Sequence, residues 1–332
     1  MTTTRTIGCL LAAVLAFGAG PALADTTLRL SEPMEPGSPE AMALAAFKAN
    51  VETQSGGRLR IEVHLRDALA AARSPLEGLR TGTIDLYTGP LDTYRPIAPQ
   101  EIGVLALPYL FASAEHLRRY LDSPTFERAE RRLIESGIRF VSTDFNGVRG
   151  PDRVIVAIRP IRTPADLDGL RIRVNNDDLA TRSWRSVGAV PVALGWNETY
   201  LALRRGVAEA AAVPLGRVRA SHFAHVAPFV TATGDSPRVW PMAISERVWK
   251  GLSALDRAVL VEAANQAGRV YTGLAAEDAA RDLGDAVMAD NAVLAAIDPA
   301  PLRARMAPVW EELIVRGLLS RDVYDTVTAL AP

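Results

Sequence analysis

Cysteine is almost missing from this chain of 332 residues: the only one, Cys9, lies in the N-terminal apolar segment. Once that segment is removed, disulfides, thiol catalysis and cysteine metal ligands are all excluded. The protein must then hold together in an oxidising compartment by its core alone, and its size permits this. An excess of charge is missing too, with 37 Lys+Arg against 38 Asp+Glu and a net charge of −1. No imbalance therefore points to nucleic acid or to an anionic membrane surface, and any charge-based function must be local. After residue 24 no apolar run reaches spanning length. Also missing are a Gly-x-Ser-x-Gly elbow, a Gly-x-Gly-x-x-Gly turn, a phosphate-binding loop and a His-Glu-x-x-His pair. A Ser-His-Asp triad scattered along the chain stays compatible with the sequence. There is no fixed-period repeat and no low-complexity linker. Two lobes joined by crossing strands fit this better than two beads on a string.

What is present begins with a targeting segment. Arg5 precedes an apolar stretch from Ile7 to Phe17, and Ala22-Leu23-Ala24 is a small-x-small cleavage site. That pattern predicts a signal peptide over 1–24 and a mature start at Asp25, with a retained anchor as the alternative. Thr27–Leu30 reads as a strand. Ser38 and Pro39 read as the start of a helix over 41–54, with Met42, Ala45, Ala46 and Ala49 near one face. Leu59, Ile61, Val63 and Leu65 alternate as a second strand, so the unit is βαβ with parallel strands. The pattern continues with a helix over 76–80, a strand over 84–88, helices over 114–121 and 125–136, and a strand over 138–143.

Past Asn146 the spacing predicts strands over 154–158, 170–174, 191–194 and 207–213, and helices over 178–187 and 198–205. Thr163 and Pro164 mark a further helix start. Segments 229–233 and 239–244 read as strands, the second crossing back to the first domain. After Ser245 the pattern is helical to the end, with one long helix over 255–281.

Several side chains are candidates for a site. Arg149 follows the turn Asn146-Gly147 and reads either as a cleft guanidinium or as a surface arginine. Arg171 and Arg173 share one face of a strand, because side chains repeat every two residues. That face is either a solvated edge, which the residue types favour, or the wall of a polar cleft. A guanidinium there holds a carboxylate by two parallel hydrogen bonds. Trp196, Asn197, Glu198 and Tyr200 sit where a strand meets a helix; Asn197 also suits a helix cap, and Glu198 suits the helix dipole. His222 and His225 have metal-ligand spacing but no third ligand nearby, with Asp235 the next carboxylate, so no metal site is expected.

In order along the chain, these pieces resemble the substrate-binding proteins of tripartite ATP-independent periplasmic (TRAP) transporters. They are Ser55-Gly56-Gly57-Arg58-Leu59-Arg60-Ile61, Glu77-Gly78-Leu79-Arg80-Thr81-Gly82-Thr83-Ile84-Asp85 and Leu107-Pro108-Tyr109-Leu110-Phe111. The most specific is Pro164-Ala165-Asp166-Leu167-Asp168-Gly169-Leu170-Arg171-Ile172-Arg173-Val174, followed by Glu198-Thr199-Tyr200-Leu201-Ala202-Leu203 and Trp249-Lys250-Gly251-Leu252-Ser253. The resemblance implies an α/β, two-lobed periplasmic binding protein fold. Its lobes are hinged around a ligand cleft, and a long helix spans both. Lobe 1 would comprise 25–147 plus 236–275, and lobe 2 would comprise 148–235 plus 276–332. By the same resemblance Arg173 pairs with a ligand carboxylate, Arg149 assists, and Glu77 is a polar cleft position. Where the family carries an amide this chain has Val213, which neither donates nor accepts. With Trp196 near the cleft, that departure points away from a C4-dicarboxylate and towards a more apolar or aromatic monocarboxylate. The implied function is a periplasmic receptor, not an enzyme and without cofactor, that delivers a small organic anion to TRAP membrane permease subunits. A ligand receptor for a sensory system is the alternative, and a secreted α/β hydrolase a further one.

Overall fold

The computed structural model describes residues 26–69, 74–149, 153–174, 178–219, 221–234 and 238–332. The predicted signal peptide and Asp235 lie outside them. The strands are β1 (Thr26–Ser31), β2 (Leu59–His64), β3 (Leu86–Thr88), β4 (Ile138–Phe140), β5 (Val148–Arg149), β6 (Arg153–Ala157), β7 (Arg171–Val174), β8 (Val190–Ala193), β9 (Ala210–Pro214), β10 (Phe229–Ala232), β11 (Arg238–Val239), β12 (Met242–Ser245) and β13 (Val293–Ala296). They form a five-stranded sheet in the order β2-β1-β3-β12-β4 and a six-stranded sheet in the order β13-β10-β6-β9-β7-β8. A two-stranded ribbon, β5 with β11, completes the set.

In the first sheet β1 runs parallel to β2, with Leu28 opposite Ile61, as the βαβ pattern predicts. Helix α1 (Pro39–Gln54) starts where Ser38 Oγ accepts the Ala41 N–H. Its buried stripe is Ala43, Leu44, Phe47 and Val51, not the predicted Met42, Ala45 and Ala49, which face outward. The bulkier side chains at helical spacing win the core, because buried apolar area sets the helix orientation. Helices α2 (Pro75–Thr81), α3 (Ala114–Leu121) and α4 (Pro124–Glu135) follow, each opened by a serine cap.

The second sheet carries α5 (Asp178–Ser186) and α6 (Thr199–Arg204). Here the prediction of helix to the end is corrected. β13 interrupts it and pairs in parallel with β10, Val293 opposite Phe229. A four-residue apolar run gives no periodicity with which to tell strand from helix.

Three segments tie the sheets together. The β5–β11 ribbon crosses once in each direction, and β12 inserts between β3 and β4. Helix α7 (Glu246–Gly251) leads into α8 (Ala254–Asp290), 37 residues long. At 1.5 Å per residue α8 spans about 55 Å. Its first half packs on α1 and its second half reaches the turn after β9 and β13. Where it crosses the chain between the sheets, Gly268 lies directly on the Asn146–Gly147 turn. A Cβ at 268 would meet the Gly147 nitrogen at 2.7 Å. One turn on, Thr272 Oγ1 accepts the Val148 N–H at 2.8 Å and donates to the Asn146 carbonyl at 2.8 Å.

The C-terminal helices separate. α9 (Pro299–Val315) packs on α5, with Arg182 and Glu312 2.6 Å apart. α10 (Arg321–Ala329) returns to the first sheet's helices: His116 Nε2 meets the Val327 carbonyl at 2.7 Å, and the Thr125 and Thr326 hydroxyls are 2.9 Å apart. Residues 321–329, predicted to belong with lobe 2, therefore pack on α3 and α4.

Candidate functional site

Ligands of open α/β sheets sit outside the carboxyl ends of strands, at the point where the strand order reverses. In the second sheet that point lies between β7 and β9, since β8 flanks β7 on one side and β9 on the other. Arg173 is there, on an interior strand, so the solvated-edge reading is wrong for this residue. It is 2 % exposed, while Arg171 on the same face is exposed. Arg171 lies at the start of β7 and turns back to the Gly206 carbonyl, whereas Arg173 lies inside. Nε and Nη2 of Arg173 both donate to the Leu194 carbonyl, at 3.0 and 2.7 Å. Its guanidinium stands 5.5 Å from the centroid of the Trp196 ring. No carboxylate among the described residues forms an ion pair with it. Burial lowers its pKa, the neighbouring charge of Arg153 lowers it further, and Glu198 opposes both.

Trp196, Asn197 and Glu198 form a single 3-10 turn before α6, and all three are exposed. Asn197 sits inside that turn and does not cap α6. The Glu198 carboxylate accepts the Gly195 N–H at 2.8 Å, which fixes the turn. The Trp196 ring meets Phe223 edge-on at 5.6 Å. Phe223 belongs to a buried apolar cluster with Val154, Leu203 and Val213. Val213 is 0 % exposed, opposite Val154 in the sheet. We expect Val213→Asn to cost about 1–3 kcal/mol in denaturant unfolding, because the amide would enter this cluster without a partner. An unchanged unfolding midpoint would show that the amide reaches solvent or a partner instead.

Arg149, on the crossing strand β5, lies between carboxylates, 3.7 Å from Glu40 of α1 and 3.7 Å from Asp278 of α8. Glu77 is exposed in the first turn of α2, its N–H held by Ser74 Oγ. It is thus on the first sheet's side, whereas Arg173, Trp196, Asn197, Glu198 and Val213 are gathered on the second. The His222 and His225 rings stack at 5.3 Å on the surface. Among the described residues no group of three or more His, Cys, Asp or Glu is placed to hold a metal.

The first sheet has its own reversal point between β1 and β3. Glu32, the residue after β1, is buried there. It accepts from Thr88 Oγ1 at 2.6 Å, Trp240 Nε1 at 3.1 Å and the Met34 N–H at 3.1 Å. Burial outweighs those three donors and pushes its carboxyl up to about 7. A carboxyl whose folded pKa lies above its unfolded value of 4.5 binds more protons when folded. Its contribution to stability is therefore present at low pH and lost as pH rises from 4.5 towards 7, by roughly 3 kcal/mol in all. Glu130 is also pushed up to about 7, so the test is a difference. Unfolding free energies at pH 5 and pH 8 should diverge less in Glu32→Gln than in the unmodified protein. Equal pH slopes in the two proteins would refute the assignment to Glu32.

Residues 30–316 match the family described as bacterial extracellular solute-binding protein, family 7. This chain belongs to that family, the TRAP substrate-binding proteins. A solute-binding protein of Roseobacter denitrificans is 31 % identical over 250 residues, 73 % of each chain. A solved TRAP solute-binding protein from Roseobacter denitrificans OCh 114, with bound L-galactonate, aligns at 26 % identity, covers 92 % of this chain and 99 % of its own, and has a TM-score of 0.66. An open, ligand-free structure from Escherichia fergusonii reaches 0.80 at 22 % identity, over 92 % of this chain and 99 % of its own. The two-lobed TRAP receptor fold is thus present, with α8 spanning both lobes. No helix among the described residues is long and apolar enough to cross a membrane. Three groups near Arg173 are not legible in the sequence: the Leu194 carbonyl that it bonds, Arg153, whose charge it senses, and Phe223, which packs on Trp196. Each comes near only through the packing of separate elements. The one available signal is the clustering of Trp196, Phe223 and Val213 as apolar residues in a chain with few aromatics.

Proposed function

We propose that this protein is a periplasmic TRAP solute receptor that closes on a small hydroxylated carboxylate, a sugar acid, and hands it to membrane permease subunits. The observation that carries this reading is Arg173: a buried guanidinium, braced by one backbone carbonyl and with no carboxylate ion pair among the described residues. A cation taken out of water is costly unless it is paired. A ligand carboxylate supplies the missing charge, and the fork geometry favours it. Trp196 offers an aromatic face beside it, suited to the C–H face of a sugar ring, and Asn197 and Glu198 flank that face with polar groups. The Roseobacter relative with bound L-galactonate supports the sugar-acid class. The better overlay on the open, ligand-free relative than on that complex supports an open resting state. Ligand would then select a closed arrangement of the lobes.

The test is thermal unfolding of the chain from Asp25 against uronates, aldonates, C4-dicarboxylates and aromatic monocarboxylates. A ligand at a hundred times its Kd adds about 2.7 kcal/mol. A sugar acid should raise Tm. A panel in which only dicarboxylates or aromatic acids do so moves the ligand class, and one in which none does so removes the receptor reading.

A further inference from the structure

We propose that Glu40, Asp278 and Asp282, gathered around Arg149, select against a second negative charge on the ligand, so that the receptor takes sugar acids with one carboxylate and turns away their diacids. The proposal rests on the reading of Arg173 as the carboxylate clamp of a sugar-acid receptor and narrows it.

The three carboxylates lie between the two reversal points. Glu40 stands in the first turn of α1, and in a parallel βαβ unit the helix begins on the side where the strands end. It is 6 % exposed, and its Oε2 has no hydrogen-bond partner among the described residues. Burial chiefly, and the charge of Glu40 in addition, push up the carboxyl of Glu32 at the first sheet's reversal point, so the two acids are neighbours. Asp282 of α8 reaches the second sheet. A Cβ on Gly216, in the turn that follows β9, would meet Asp282 Oδ2 at 3.2 Å and Arg149 Nη2 at 3.7 Å. Asp278, one helical turn earlier, is 3.7 Å from Arg149, as is Glu40 on the other side. Burial and then the charge of Asp278 push the Asp282 carboxyl up, and Arg149 opposes them.

Three carboxylates thus share one guanidinium and leave this region negative. Arg281 also approaches Asp278, at 3.6 Å, but its side chain is 66 % exposed and its charge is screened by water. Arg173 holds one carboxylate at the end of β7. A second carboxylate, at the far end of the same ligand, would find the charge of Arg149 already offset and would meet like charge in a cleft that screens it poorly. A hydroxyl at that end meets no such penalty. It can donate to these oxygens, the unbonded Oε2 of Glu40 among them.

The experiment is calorimetric titration of the mature protein with two pairs of acids, L-galactonate against galactarate and D-gluconate against D-glucarate. Within each pair the carbon chain is the same and the diacid adds one carboxylate at the far end. The diacid should bind at least about tenfold more weakly at low salt, and added salt should narrow the gap. In Asp278→Asn and in Glu40→Gln the gap should shrink to within about threefold, chiefly through tighter binding of the diacid. Glu277→Gln removes an equal charge from the exposed face of the same helix and should leave the gap as it is. The ligand-free Tm confirms that each variant folds. Asp278 is more open to solvent than Glu40, so its variant decides the matter if Glu40→Gln does not fold. If the diacids bind as tightly as the monoacids, or if the gap survives in Asp278→Asn, the inference fails and the receptor stands. If none of the four acids binds, the sugar-acid reading fails and the inference falls with it.

Discussion

Replacing Arg173 with alanine should abolish sugar-acid binding while leaving the protein folded. Removing one partner of a buried, hydrogen-bonded charge pair costs about 2–5 kcal/mol, a rise in Kd of roughly thirtyfold to several thousandfold. The ligand-free protein should tolerate the change, because no described carboxylate forms an ion pair with Arg173 and so none is stranded. The cation is itself held in the interior against its hydration. Its loss removes two bonds to the Leu194 carbonyl and the stacking on Trp196. Arg173→Lys should also bind worse than the parent, since a lysine cannot present the planar fork. Calorimetric titration gives the affinities, and thermal unfolding without ligand gives the control. A ligand-free Tm that collapses in Arg173→Ala would make the residue a structural strut. An affinity within about twofold of the parent would remove it from the site.

Gly268→Ala should clearly destabilise the protein. The added carbon would lie 2.7 Å from the Gly147 nitrogen and 3.0 Å from the Asn146 carbonyl carbon, both backbone atoms that cannot turn aside. α8 would have to lift from the turn, and the paired bonds of Thr272 to Asn146 and Val148 would lengthen with it. Overpacking of this kind costs about 1–3 kcal/mol. It acts at the crossing between the lobes, so affinity should fall along with Tm. Gly284→Ala, further along the same helix with nothing within 4 Å of the new carbon, should be neutral or slightly stabilising. Thermal unfolding of the two variants side by side checks this. Equal Tm values would mean that α8 does not bear on the turn.

Much of the fold was legible because local chemistry agrees with it. Ser38 with Pro39 and Ser74 with Pro75 open their helices, and the left-handed Gly82 closes α2, as their residue types predict. Alternation in Leu59–Val63 and Leu170–Val174 placed strands correctly. β13 was not legible, because four apolar residues carry no period. The orientation of α1 was misread, because alanine and methionine count as apolar but bury less than leucine and phenylalanine. At the site, the type and face of Arg173 were legible but its burial was not, since burial comes from β8, β9 and Trp196 folding over it. Arg153 gave no signal at all: its neighbourhood exists only once β6 and β9 are paired antiparallel.

The position of β12 has a consequence for how this chain is built. β12 holds β3 and β4 apart in the first sheet, yet it is made after β6 to β10 of the second sheet. Until residue 245 is available, the first sheet has two unfilled edges at its centre. The amino-terminal sheet therefore cannot be completed before the chain of β6 to β10 has been made. Such long-range strand closure slows folding and leaves unpaired edges open to other chains in the meantime. A chain delivered unfolded across a membrane and released whole meets that requirement. One that begins to fold at its leading end does not.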